Sequence, residues 1–199
     1  MKKEFNNVFQ FKITLKFIKP PIWRRIQVPE TYTFWDLHVA IQDVMGWKDY
    51  HLHEFEVNHP ITGEKVIIGT PNEELKFFGR KIFSEYEEKI SDWFSEKNRV
   101  AEYIYDFGDN WRHEIKFEKI LPRDKNIKYP VCIDGERASP PEDCGGVWGY
   151  MEFLEAIKNP SHNRHEEMLE WIGGEFDPEY FNPNKVIFTD PDKRMRIKF

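Results

Sequence analysis

A chain of 199 residues with 29 basic and 35 acidic side chains, net charge −6, lacks the broad positive surface of a general phosphate-backbone binder. Its 40% hydrophobic and 16% aromatic content excludes wholesale disorder, and two cysteines, Cys132 and Cys144, are too few for a secreted disulfide framework. No apolar run approaches the roughly 20 residues needed to span a bilayer. The start, MKKEFNNVFQFK, has no signal-peptide core, so a cytoplasmic protein with no membrane partner is expected.

In chain order, FQFKITLKF (9–17) sets Phe9, Phe11, Ile13, Leu15 and Phe17 on one face at a period of two, which predicts a strand. Pro20-Pro21 turns the chain, and IWRRIQV (22–28) returns as a second strand. Thr33 caps a predicted helix with apolar positions Phe34, Leu37, Ile41, Val44 and Met45, and Gly46 stops it. HLHEFEV (51–57) and KVII (65–68) read as strands, completing a β-grasp-like hairpin, helix and strand with the helix over one sheet face. Residues 69–99 are less regular, with a short helix predicted over 84–97. Two strands fill 100–120 and YPVCI (129–133) adds another. After SPPEDCGG (139–146) one amphipathic helix carries Tyr150, Phe153, Leu154 and Ile157, and a second carries Met168, Leu169 and Ile172 before Gly173-Gly174. The tail, 175–199, wraps the body and ends on a strand at MRIKF. The predicted fold is α+β, one domain over 8–190.

The central hairpin holds YDFGDNWRHEI (105–115), whose DFG lacks every other element of a kinase. A loop of Phe107-Gly108-Asp109 sets Tyr105 against Trp111 and Tyr103 against His113, so that the aromatic faces coincide. Gly108 or Asp109 is then expected in a left-handed conformation, with Asp106 on the face opposite His113.

Two chemistries suit these residues. An aromatic-lined groove built from Tyr103, Tyr105, Asp109, Trp111 and His113 with Glu142 and Asp143 would make a non-catalytic binding domain for a protein or small molecule. Alternatively, His51 and His53, two apart on a strand, could join His113 and a carboxylate from Glu142 or Asp143 around a divalent metal, the cofactor of a hydrolase-like enzyme. His38 alone reads as packing. His162 and His165 lack the HExxH pattern and read as a solvated helix start. In SPPEDCGG, Cys144 could be a nucleophile near a helix N-terminus, or Asp143 could cap that helix while the glycines permit close backbone approach. Trp23-Arg24-Arg25 reads as a strand-edge arginine pair.

Several phrases, KPPIWRRIQVPETYTFWDLHVAIQDVMGW, HLHEFEV, YDFGDNWRHEI, YPVCIDGERASPPEDCGGVWGY and FDPEYF, together resemble the plasmid pRiA4b ORF-3-like family over roughly residues 8–190. The resemblance implies a single α+β domain of bacterial and archaeal proteins, some plasmid-encoded, and brings no catalytic residues with it. Resolvase labels on some relatives would imply a nucleic-acid partner in a mobile element. The first serine is Ser84, too late for a serine resolvase, and no Arg/His set with a late tyrosine suits a tyrosine recombinase, so nucleic acid is not the expected partner.

Overall fold

The computed structural model describes residues 4–70 and 82–198. Its strands are β1 (Asn7–Leu15), β2 (Ile22–Pro29), β3 (His53–Asn58), β4 (Lys65–Gly69), β5 (Ile82–Ser84), β6 (Val100–Tyr105), β7 (Trp111–Pro122) and β8 (Val131–Glu136). They form one sheet in the order β5-β4-β3-β6-β7-β1-β2-β8, antiparallel throughout except for the β4–β5 pair. Helices α1 (Phe34–Met45), α2 (Ile90–Trp93), α3 (Gly146–Lys158), α4 (His165–Ile172) and α5 (Pro191–Lys198) complete a mixed α+β domain.

The period of two decides which face is covered. Phe9, Phe11, Ile13 and Leu15 of β1, Ile115 and Phe117 of β7, and Phe55 and Val57 of β3 all turn inward and are buried. α1 lies over them: Phe34 meets Phe55 edge-on at 5.0 Å, and Leu37, Ile41 and Val44 join the same core. The helix starts where its capping box dictates. The Thr33 hydroxyl accepts from Asp36 N and the Asp36 carboxylate from Thr33 N. It stops at Gly46, whose φ of 73° closes the last turn.

The hairpin register is the predicted one, with Tyr105 opposite Trp111 and Tyr103 opposite His113. Its tip differs. The left-handed residues are Asp106 and Asn110, at φ 56° and 54°, and not Gly108 or Asp109. Asn110 N donates to Asp106 O at 2.6 Å, and Asp106 Oδ1 accepts from Gly108 N at 2.9 Å. Short polar side chains that bond their own turn tolerate this backbone region.

Three other expectations change. Phe17 is not on the apolar face: β1 ends at Leu15, and Phe17 sits at φ 68° with its ring exposed. The helix expected over 84–97 shrinks to the four residues of α2, because 82–84 pair with β4 as a parallel strand. MRIKF is helical over its described part: Asp190 accepts from Asp192 N at 3.0 Å and Pro191 opens the first turn, which starts α5. The tail does wrap the body, since Asp43 on α1 accepts from Thr189 N at 2.7 Å and pairs with Arg194 at 2.8 Å.

Arg24 is also placed differently from the sequence reading. β2 lies between β1 and β8, so it is no edge, and Arg24 points inward with Ile22, Ile26 and Val28. Only Arg25, paired with Glu118 and Asp134, faces out.

Candidate functional site

One end of the sheet gathers three loops: 46–52 between α1 and β3, the hairpin tip 106–110, and 137–145 leading into α3. Side chains and backbone stitch them together. Trp47 Nε1 donates to Pro140 O at 2.8 Å, and Lys48 N donates to Glu142 Oε2 at 2.9 Å. The Tyr105 hydroxyl donates to Glu142 Oε1 at 2.6 Å and accepts from Tyr50 N at 3.1 Å. Gly145 N donates to Asp109 Oδ2 at 3.1 Å. Gly146 is obligatory there, because a Cβ on it would stand 2.5 Å from Asp109 O.

This lattice aims three ligating groups at one point. His51 Nε2 stands 2.9 Å from Asp143 Oδ1 and 3.7 Å from Asp106 Oδ2, and the three atoms lie within 4.8 Å of one another. Asp106 is held by its Oδ1 bond to the turn, which leaves Oδ2 directed at His51. Asp143 is the most exposed of the three, so the cluster opens to solvent. Tyr50 and Leu52, the sequence neighbours of His51, and Phe107, next to Asp106, are large apolar side chains left exposed.

A second cluster lies inside. His38 Nε2 stands 3.0 Å from Asp49 Oδ1, and His38 Nδ1 stands 2.8 Å from the Tyr103 hydroxyl, which also accepts from Gln42 Nε2. His53 Nε2 lies 2.5 Å from Glu85 Oε2, and Glu85 Oε1 accepts from Thr70 Oγ1 at 2.6 Å. The two imidazoles stack with centroids 3.4 Å apart and planes 2° from parallel. Burial, reinforced by the His53 ring, pushes His38 down to about 3. A neutral His38 therefore donates from Nε2 to Asp49 and accepts the Tyr103 proton at Nδ1. His38, Asp49 and His53 could hold a metal by distance. However, parallel stacked rings cannot both aim a lone pair at one ion between them, and both His38 nitrogens, His53 Nε2 and Asp49 Oδ1 already serve neighbours. This cluster is a buried polar network that ties α1 to β3 and β6.

Comparison with known proteins gives the lineage. The description "Plasmid pRiA4b ORF-3-like protein" matches residues 7–185. The chain belongs to the plasmid pRiA4b ORF-3-like family. Within it, the uncharacterized protein y4hQ of Sinorhizobium fredii is 37% identical over 84% of this chain and 81% of its own. A crystal structure of a protein of unknown function, MM3350 from Methanosarcina mazei Go1, is 51% identical. It covers 93% of this chain and 100% of its own, with a TM-score of 0.87.

In this pRiA4b ORF-3-like chain the sequence candidates separate into two sets. Tyr103, Tyr105, Trp111 and His113 share one face, but α1 and its neighbours cover it and all four are buried, so they are wall and core and do not line a groove. Asp109, Glu142 and Asp143 do gather at the loop end. His51, His53 and His113 do not converge: His51 is at the rim, His53 is with Glu85, and His113 packs edge-on against Trp47 with Nδ1 3.4 Å from Tyr103 O. Asp106, absent from the sequence candidates, joins the cluster. It stands just past the end of β6 at a φ of 56°, and its partner is His51, 55 residues away in the chain.

Asp143 does not cap α3. Its carboxylate is engaged by His51, and Asp109 takes the amide at the helix start. Cys144 is no activated nucleophile, since burial and the Asp109 carboxylate push its thiol up to about 12. Cys132 and Cys144 are both free thiols. Reducing agent should leave the melting temperature unchanged, and a fall of many degrees on reduction would show that a disulfide carries stability. Among the described residues no helix is long and apolar enough to cross a membrane.

Proposed function

We propose that this chain is a non-catalytic binding domain whose contact point is a divalent cation held by His51, Asp106 and Asp143. The carrying observation is the convergence of one imidazole nitrogen and two carboxylate oxygens from three separate loops at a solvent-open rim. One nitrogen and two oxygens suit a divalent first-row ion, borderline Zn²⁺ or Co²⁺ or the harder Mn²⁺. Three protein ligands leave coordination positions open for a donor from the partner, and exposed Tyr50, Leu52 and Phe107 on the same loops offer apolar contact. Glu142 is the nearby carboxylate that a hydrolase would want as its base, yet its two oxygens already accept from Tyr105 and Lys48 N. That arrangement favours holding a ligand over activating water.

The test is thermal unfolding of the metal-stripped protein with added Zn²⁺, Mn²⁺ or Co²⁺, together with isothermal titration. A single site filled at a hundredfold excess over Kd adds about 2.7 kcal/mol, and His51→Ala and Asp106→Ala should each abolish that gain, whereas His162→Ala should keep it. The absence of any metal-dependent shift in the parent protein would end the proposal. Metal-stimulated hydrolysis of bis(p-nitrophenyl) phosphate, lost in Asp106→Ala, would replace the binding reading with a hydrolytic one.

A further inference from the structure

α3 has two faces. Tyr150, Phe153 and Ala156 turn inward and are buried. On the other side Trp148 and Met151, three apart and hence neighbours on the helix surface, are 88% and 47% exposed. Leu154 and Ile157 of α3, Leu169 of α4 and Phe176 of the tail continue this apolar surface as the floor of a groove of about 1140 Å³. An indole left this open on a helix, beside an apolar trough, marks an interaction surface.

The rim of the groove is acidic. Glu152, Glu155, Glu175, Asp177 and Glu179 line it against Arg137 and Lys158. Glu179 is neutralised by Arg137 at 2.8 Å and Glu152 by Arg164 at 3.2 Å. Glu155, Glu175 and Asp177 have no ion pair among the described residues, so the trough carries unbalanced negative charge along its edges. An apolar floor between acidic edges is the counterpart of a helix with an apolar stripe flanked by cations.

We propose that this groove docks a basic amphipathic helix of a partner protein, with apolar side chains packed on Trp148 and Met151 and lysines or arginines set against Glu155, Glu175 and Asp177. The proposal is independent of the metal site and is tested in the presence of EDTA. The probe is a fluorescein-labelled model helix of leucine and lysine, read by anisotropy at physiological salt, with a leucine–glutamate helix of the same pattern as control. Saturable micromolar binding of the basic helix alone is expected. Trp148→Ala and Glu175→Lys, both at exposed positions, should each weaken it about tenfold, a loss of about 1.4 kcal/mol. Glu96→Lys, a reversal of an exposed charge on another part of the surface, should leave it within about twofold, a change of about 0.4 kcal/mol. No binding by the parent protein overturns the proposal. So does binding that Trp148→Ala and Glu175→Lys leave intact, or that Glu96→Lys weakens equally, since either would be attraction to net charge and not docking in the groove.

Discussion

Arg24→Ala should lower the unfolding free energy by about 4 kcal/mol, the cost of leaving several buried acceptors without a donor on top of a core truncation. The guanidinium is 1% exposed and rests on the Phe181 ring at 3.6 Å. Its Nε donates to Val44 O, Nη1 to Trp23 O and Glu136 O, and Nη2 to Ser139 Oγ, all at 2.8–2.9 Å. These partners belong to α1, β2, β8 and the loop into α3, so one side chain joins four segments. Val44 O is among the last carbonyls of α1, which no further turn can satisfy, and the positive charge also meets the negative end of that helix dipole. Burial lowers the guanidinium to about 10, which still leaves it charged at neutral pH. Alanine would strand four acceptors and open a cavity. Arg24→Met, which keeps the stem, should fall between alanine and the parent. Arg25→Ala is the contrast: its pairs with Glu118 and Asp134 face solvent, where such bridges are worth about 1 kcal/mol or less. Urea unfolding of the three variants decides it, and an Arg24→Ala protein within 1 kcal/mol of the parent would refute the role assigned here.

Arg24 also shows what the sequence could and could not disclose. In IWRRIQV the period of two already sets Arg24 beside Ile22, Ile26 and Val28, so its inward direction was legible. What made it tolerable, carbonyls at positions 44 and 136 and a ring at 181, was not. The hairpin is similar. Its register could be derived because one pairing alone stacks Tyr103, Tyr105, Trp111 and His113 on a common face. Periodicity says which side chains share a face, however, and not whether that face is covered. α1 covers Tyr103, and Trp47, just beyond that helix, covers Tyr105, Trp111 and His113, so the face is core and not a groove. Loop chemistry was the least readable part. Nothing local links His51 to Asp106 and Asp143, because the convergence exists only once β3, β6 and the 137–145 loop are laid side by side. MRIKF was misread because five residues of mixed character fit either period, and the cap at Asp190 that decides for helix stands outside them.

Acid should destabilise this protein well before its carboxylates titrate. His38 and His113 are wholly buried, and burial pushes them down to about 3 and about 4 from the usual 6.5. For His38 the stacked His53 adds to that push, while Asp49 and Glu85 pull the other way without overcoming it. For His113 the Tyr103 and Trp111 backbone pulls up, and Arg24 adds a smaller push down. A folded value below the unfolded one means that the unfolded chain binds more protons below pH 6.5, so stability falls as pH falls. Above 6.5 neither state is protonated and the two residues contribute nothing to the slope. Between pH 6.5 and 4.5 each histidine should remove about 1.4 kcal/mol per pH unit, or about 5 kcal/mol together over the window. The carboxylates whose values are lowered in the fold, Glu30, Glu85, Glu102, Glu118 and Glu167, give up their contribution only below their usual 4.5, outside that range. Urea midpoints at pH 7.5, 6.5, 5.5 and 4.5 should therefore be level between the first two and then drop steeply. His113→Leu removes one of the two proton acceptors, so its slope between 6.5 and 4.5 should be about half the parent slope, whatever its stability at neutral pH. A parent curve that stays flat to pH 4.5 would show that both imidazoles take up a proton inside the folded core without cost, and that the Asp49–His38–Tyr103 bonds are not the neutral arrangement drawn from the burial of His38.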